Sequence, residues 1–481
     1  MSQLSFATLD QLKPGVKKPG YDPRQLKIGV VHFGPGAFHR AHQAAYFDTM
    51  AGFDARWGIC GVSLHSAGVR DALAPQDGLY TLAILDEEID YQIIGSLREI
   101  LVAPENPEMV FERLSRPEVE IVTSTVTEKG YCLKVSGAID FDHADIVHDL
   151  ANPQTPHSFI GYVVEGLRRR QAAGIKPFVL IPCDNLPKNG ERLKAAVVDF
   201  ARRIDGALAA WIEVSLECPC TMVDSITPAT DDALRERVEA AIGLKDTWPI
   251  QREAFTQWVI EAHTHDDGPD WGRAGVTLTD NVPAFERAKL RLLNGPHSTL
   301  AYAGLHKGYV SVSEAMQDED LSGFVRLLML EDVVPLLEAP VGLDLTVYAE
   351  AILKRFRNPA IRHLLSQIAW DGSQKLPIRL LGSMKEALES GSDVSRFGLP
   401  LAAWMRFVRH KAMTGEAMTD PMADQLIALG GVLKDAPEDV EAFLALNSVF
   451  PETLAAEPMI RTAITKAYAE LLNAERVKAE A

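Results

Sequence analysis

An α/β domain followed by an all-α domain is the fold class this chain predicts, and three observations predict it. The 481 residues exceed what a single core organises, so at least two domains are expected. Strand-type apolar runs alternate with helical patterns through roughly the first 283 residues. Beyond residue 283 the β-branched runs stop and only helical periodicity continues.

Residues 1–26 read as an irregular lead-in rich in Pro, Gly and Lys. The first strand is predicted in KIGVVHFG (27–34), followed by a helix over PGAFHRAHQAAYFDTM. Further strands are predicted in WGICGVSL (57–64), GLYTLAIL (78–85), VEIVTSTV (119–126), KPFVLIP (176–182) and TMVDSI (221–226). Helical stretches at 161–174 and 189–215 separate several of them. This alternation implies a largely parallel sheet covered on both faces. Domain bounds of 1–283 and 284–481 follow, the second built from helices such as 322–339, 345–356 and 437–450, with a polar C-terminal tail expected to fray.

Bulk properties exclude several functions. A net charge of −18 argues against nucleic acid and anionic membranes as partners, while leaving room for a small anionic ligand in a local basic pocket. No apolar run of about 18 residues and no signal-type leader is present, so a cytoplasmic protein is expected. Cys60, Cys132, Cys183, Cys218 and Cys220 are sparse and odd in number, which suggests reduced thiols; Cys218-Pro-Cys220 reads as structural. Oligomeric state is not legible.

The turn GPGAF (34–38) follows the first strand and opens a helix. Gly34 and Gly36 let backbone approach a pyrophosphate, which then sits by the N–H groups of Ala37 and Phe38, so a Rossmann-like dinucleotide-binding domain is expected. His39 stands where the third glycine of the fingerprint falls. The second strand ends in Ser63-Leu64-His65-Ser66 with no carboxylate before Asp71, so NAD is expected with NADP possible, and Ser66, His65 or Arg70 could meet a 2′-phosphate.

Three predicted strands end in polar clusters, Thr127-Glu128-Lys129, Asp184-Asn185 and Asp224-Ser225, which together read as one wall of a site. KLRLLNGPHS (289–298) adds Lys289, Asn294 and His297, which on an α-helix span an arc of about 140°. A metal-free alcohol dehydrogenase needs a base and alkoxide donors. Lys289, partly desolvated, fits the base. Asn185 and Asn294 fit the donors, His297 orients substrate, and Pro296 is expected to bend the helix. Two readings compete. His263-Thr-His265-Asp266-Asp267, with His39 and His42, resembles a ligand set for a metal-dependent hydrolase. A non-catalytic dinucleotide sensor is the other.

The chain resembles the polyol-specific long-chain dehydrogenases, the family of mannitol 2-dehydrogenase and fructuronate (D-mannonate) reductase. GPGAFHRAH (34–42), DGLYTL (77–82), TVTEKGY (125–131), CDNLPKNG (183–190), MVDSITP (222–228), QWVIE (257–261), KLRLLNGPHS (289–298) and DGSQKLP (371–377) carry the resemblance in order. It implies metal-independent hydride transfer between NAD(P) and a polyol or sugar acid, with no metal site. It further implies Lys289 as base, Asn185 and Asn294 as oxyanion donors, His297 beside them, Glu128 as proton relay and Asp224 at substrate or cofactor. The chain departs from the family at Pro296, at Ala262 where an acid is common, and at the missing ribose acid. Arg357, Arg362, Lys375 and Arg379 are the candidates to bind substrate, since a sugar acid needs a cation for its carboxylate.

Overall fold

The computed structural model describes residues 2–126, 128–134, 136–262 and 268–480. The chain divides into two compact units, Met1–Pro283 and Ala284–Ala481.

The first unit holds β1 (Ile28–Phe33), β2 (Gly58–Ser63), β3 (Tyr80–Leu85), β4 (Ile89–Ile94), β5 (Leu97–Val102), β6 (Ile121–Ser124), β7 (Val179–Pro182), β8 (Thr221–Asp224), β9 (Ile250–Glu253), β10 (Gln257–Glu261) and β11 (Thr277–Thr279). Five strands form one all-parallel sheet in the order β5-β2-β1-β6-β7. Its residues alternate between two cores. Val31, Cys60, Val122 and Leu180 enter one, while Val30, Ile59, Ile121 and Val179 enter the other. A sheet buried on both faces explains why these strands read as continuous apolar runs. Strand order reverses between β1 and β6, so the carboxyl ends of those two strands flank the switch point of a Rossmann sheet.

Two of the predicted strands lie outside that sheet. β3 pairs antiparallel with β4 and parallel with β9, and β8 pairs antiparallel with β10, which continues to β11. An apolar run signals burial but carries no information on its partner, so their membership could not be read locally. The polar ends of β6, β7 and β8 are therefore not successive ends of one sheet.

The helix expected over 35–50 breaks at His42 into Ala37–Ala41 and Gln43–Ala51. The one expected over 189–215 breaks at Asp205, whose carboxylate accepts from the N–H groups of Ala207 and Leu208 and starts a new helix.

The second unit contains helices with no strand of its own among the described residues. The stretch 322–339 is divided into a helix (Glu319–Leu327), a π turn (Leu328–Val333) and a 3₁₀ turn (Val334–Leu336). The C-terminal segment forms the helix Pro458–Glu480, which buries Ile460, Ile464, Tyr468 and Leu472 at four-residue spacing. The five cysteines are free thiols. No helix among the described residues is long and apolar enough to cross a membrane.

Candidate active site

In the first unit the glycine turn is built from β1 and β6. Gly34 takes φ +89°, a conformation that disfavours a side chain, and a Cβ there would stand 3.4 Å from Thr125. Thr125 Oγ1 donates to the Gly34 carbonyl at 2.8 Å, and His32 Nε2 lies 3.1 Å from the same oxygen. That carbonyl can only accept, so Nε2 carries the ring hydrogen and Nδ1 accepts from Thr123 Oγ1 at 2.7 Å. Burial holds the His32 imidazole down to about 3, which keeps this arrangement neutral. Pro35 in turn packs on Gly61 of β2, where a Cβ would come within 3.0 Å of its ring.

His39, in place of the third glycine, lays its ring on His32 with centroids 3.4 Å apart and planes 13° apart. Flat stacking thus supplies the close helix–strand approach that glycine normally provides. Neither His39 nitrogen has a hydrogen-bond partner among the described residues. Burial first, then His32, Arg40 and His42, holds its pKa well below the ordinary histidine value. Gly36 is open, with only the Gly34 carbonyl near its Cβ position. The N–H groups of Ala37 and Phe38 fall in the first helical turn, where no intrahelical carbonyl reaches them. The turn therefore fits a dinucleotide pyrophosphate.

At the end of β2, Ser66 is exposed, and its carbonyl accepts from Ser63 Oγ at 2.6 Å. Arg70 is engaged by Asp71 and Glu105. Asp224, at the end of β8, is buried. Within CDNLPKNG the roles separate. Asp184 accepts from the Tyr131 hydroxyl and from Leu186 N–H, while Asn185 beside it is exposed. Asn189 bonds both backbone and hydroxyl of Thr221, and a Cβ at Gly190 would fall 2.4 Å from the Cys218 carbonyl. Most of that motif holds β7 against β8 so that Asn185 projects from a fixed loop. Glu128 opens the 3₁₀ turn Glu128–Tyr131. Thr127 and the His263–Asp267 motif lie outside the described residues.

In the second unit, Lys289 ends one helix, Leu290–Asn294 form a π turn closed by the Gly295 N–H on the Leu290 carbonyl, and Gly295–Lys307 continue as α-helix. The bend expected at Pro296 is this π turn; Pro296 sits just inside the following helix, where its missing N–H costs little. A π turn of about 4.4 residues narrows the arc holding Lys289, Asn294 and His297 from about 140° to roughly 60°. A second π turn, Pro377–Leu381, packs against the first. The Arg379 carbonyl comes so close that a Cβ on Gly295 would lie 3.0 Å from it.

His297 is buried, with Phe356 at 4.4 Å and His363 at 5.0 Å between ring centroids. Its Nε2 has no partner among the described residues. Burial, then His363, Arg355 and Arg379, keeps it neutral well below the usual histidine range. Arg379 donates to the Asn294 carbonyl at 3.4 Å and to Ser298 Oγ at 3.2 Å, and has no carboxylate partner among the described residues. Burial and then Arg379 lower the Lys375 pKa.

Two sequence candidates do not join this group. Arg357 is exposed and donates to Ser322 Oγ, and Arg362 is exposed beside Glu314. Arg355, on the same helix, lies near His297 instead. The signal was available, because Arg355 lies seven residues after Tyr348 and three after Ile352, on the buried stripe of helix Leu345–Arg357.

A Rossmann sheet with a glycine turn at its switch point, joined to a helical unit with Lys289, Asn294 and His297 around a π turn, defines a two-domain Rossmann class. Within that class the chain belongs to the mannitol dehydrogenase family. The mannitol dehydrogenase Rossmann domain matches residues 28–273, and the mannitol dehydrogenase C-terminal domain matches residues 281–472. The chain is 40% identical over 469 residues to a D-mannonate oxidoreductase of Escherichia coli, covering 95% of this chain and 96% of that protein. It is 38% identical over 463 residues to a mannitol 2-dehydrogenase of Phaeosphaeria nodorum, covering 94% and 80%. Among solved structures it is similar to the Pseudomonas fluorescens mannitol 2-dehydrogenase ternary complex with NAD and D-mannitol, with TM-score 0.81, 36% identity and 98% and 96% coverage. Nothing in these relatives supports a metal-dependent hydrolase.

Proposed function

We propose that this chain is an NAD-dependent oxidoreductase that interconverts a secondary alcohol and a ketone on an open-chain sugar acid. The glycine turn, open at Gly36, is the cofactor cradle, with Ala37 and Phe38 N–H groups toward the pyrophosphate and Asp224 and Ser66 as further contacts. Arg70 is already paired with Asp71 and Glu105 rather than open to a 2′-phosphate, which supports NAD over NADP. Bound NAD supplies the hydride acceptor.

Lys289, in its neutral form, takes the hydroxyl proton as hydride leaves the carbinol carbon. Asn294 and Asn185 donate to the oxygen as its charge develops, and neither adds charge of its own. His297, held neutral, orients the substrate, and Glu128 passes the proton from Lys289 to water. In reduction the same groups work in reverse, with Lys289 as acid.

The observation that carries the sugar-acid reading is Arg379, a half-buried guanidinium beside His297 without a carboxylate partner among the described residues. A substrate carboxylate supplies that partner, with Arg355 and Lys375 adding positive potential. The relative named D-mannonate oxidoreductase supports the same class. A neutral polyol is the second reading, favoured by the mannitol complex. The five free cysteines support a cytoplasmic location.

Reductase assays with fructuronate, tagaturonate and fructose, each with NADH and NADPH, test the assignment. A keto acid with NADH is expected to give the highest kcat/KM. Equal or better turnover of fructose would transfer the assignment to the polyol reading. Lys289→Ala is expected to lower kcat by about 10²–10⁴-fold or more with cofactor affinity little changed; near-normal turnover at every pH would remove Lys289 from the base role.

A further inference from the structure

Cys132, His143, Asp145 and His157 belong to none of the chemistry assigned above. Cys132 directly follows the 3₁₀ turn Glu128–Tyr131, is only 5% exposed, and holds a left-handed backbone at φ 51°. Leu133 and Ile139 then bridge in antiparallel fashion, which returns the chain to His143 at the start of helix Ala144–Ala151. There the ligand atoms of Cys132, His143 and Asp145 all lie within 4.8 Å of one another. Asp145 also reaches a second imidazole. One of its oxygens is 3.8 Å from His143 Nδ1, and the other is 3.8 Å from His157 Nδ1.

Those separations are too long for hydrogen bonds. A tetrahedral zinc sets neighbouring N and O donors about 3.3–3.4 Å apart, so His143 Nδ1 and Asp145 need to close by only about 0.5 Å to share one ion. The surrounding contacts hold this set in place. Asp149 is already saturated: it accepts from His157 N–H at 2.7 Å, Ser158 N–H at 2.8 Å, Ser158 Oγ at 2.6 Å and His148 Nδ1 at 3.0 Å. It fixes the backbone of His157, and His148 lies flat on the His157 ring at 3.6 Å. His143 Nδ1 receives only a long 3.3 Å bond from Asp145 N–H.

Burial, then Asp145, Asp149 and Asp140, pushes the Cys132 thiol up to about 12. Lys134, the cation nearby, sits with Asp140 and Asp142 at 3.5 and 3.4 Å. A divalent cation reverses the sign of that local field and takes the thiol as thiolate, releasing its proton.

We propose that Cys132, His143 and Asp145 form a structural site for one zinc-class divalent cation, with solvent in the fourth position and His157 bordering it on the other Asp145 oxygen. The mixed sulfur, imidazole and carboxylate set selects zinc or cobalt over magnesium or calcium, which prefer oxygen alone. The site ties helix Ala144–Ala151 to the segment Glu128–Tyr131. Tyr131, next to Cys132, bonds Asp184 and Ser124, so the ion would secure the loop from which Asn185 projects. It touches no reacting atom, and the inference does not depend on the proposed reaction.

The test uses the full-length protein, stripped by a chelator and reloaded with cobalt(II) or zinc. One ion per chain is expected by elemental analysis, with a thiolate-to-cobalt charge-transfer band that zinc abolishes, and a higher melting temperature than the stripped protein. Cys132→Ser is expected to remove the band and weaken zinc by about 100-fold or more, since even outer contacts of metal ligands are worth about 10–100-fold. Asp145→Asn and His143→Gln, at partly exposed positions, are expected to weaken zinc while leaving the unloaded fold intact, and carry the test if Cys132→Ser does not fold. Absence of tight binding, a cobalt spectrum without a thiolate band, or a band that survives Cys132→Ser would overturn the site. So would loss of the ion from His263→Asn or His265→Asn instead.

Discussion

Replacing His39 with Leu tests the stacked histidine pair under the glycine turn. His32 and His39 lie ring on ring at 3.4 Å, both buried, and both are kept neutral by burial. In the unfolded chain each imidazole titrates near pH 6.5. Their folded pKa values are depressed, so their contribution to stability is complete above about pH 6.5 and is lost as pH falls toward the folded values. Each ring then contributes a slope approaching 1.4 kcal/mol per pH unit, because the unfolded chain binds a proton that the native chain refuses. His39→Leu removes one such proton. Between pH 7.5 and 5.0 the wild type should therefore lose about 2 kcal/mol more than the variant. Leucine has a similar volume and leaves no unpaired ring nitrogens, so its stability at pH 7.5 should match or exceed that of wild type. Urea unfolding followed by tryptophan fluorescence at several pH values measures the difference. Trp57, Trp211, Trp248, Trp258 and Trp271, five of the seven tryptophans, belong to the first unit and report on it. Other titrating groups are common to both proteins and cancel. Stability curves that run parallel within about 0.5 kcal/mol from pH 7.5 to 5.0 would show that His39 takes up a proton in the folded protein, and the reasoning from burial would fail.

Three further outcomes are expected. Gly34→Ala forces a side chain into φ +89° at a strain of about 1–3 kcal/mol, and fluorescence titration should show NADH affinity reduced at least about tenfold; unchanged affinity would separate the turn from the cofactor. Arg379→Leu should raise KM for a keto acid by about 10–150-fold, the value of a charge-assisted hydrogen bond, while leaving a neutral ketose within a few fold; equal effects on both would assign Arg379 a packing role. Ser66→Asp should increase the ratio of NAD to NADP efficiency in steady-state assays, and an unchanged ratio would place the ribose elsewhere.

Chelation separates the two metal questions raised by the sequence. Stripped protein should retain hydride transfer under assay conditions but melt at a lower temperature, because the cation proposed at Cys132 ligates no reacting group. Turnover lost with the metal and restored by zinc would move the base role from Lys289 to the ion.

The alternation of apolar runs with helical periods determined the Rossmann class, since each signal is local and a parallel sheet buried on both faces writes itself as continuous hydrophobic strands. The glycine turn was legible for the same reason: Gly34 and Gly36 answer a backbone requirement met within five residues. The helical character of the run that carries Lys289, Asn294 and His297 was also legible, because its apolar residues recur at helical spacing. The narrower arc of those three residues was not, since the π turn arises where the segment Pro377–Leu381 presses its backbone onto Gly295, far away in sequence. The same limit applies to the strands β3 and β8, whose partners are chosen by packing across the unit rather than by their own residues. It applies most clearly to the arginines. Arg355, Arg357, Arg362 and Arg379 carry the same charge in the sequence, but the fold leaves Arg357 with Ser322 and Arg362 beside Glu314, and brings only Arg355 and Arg379 to His297. Composition and spacing decide which chemistry a chain can support; the desolvation of Arg379, and its lack of a carboxylate partner among the described residues, exist only once the chain has folded around it.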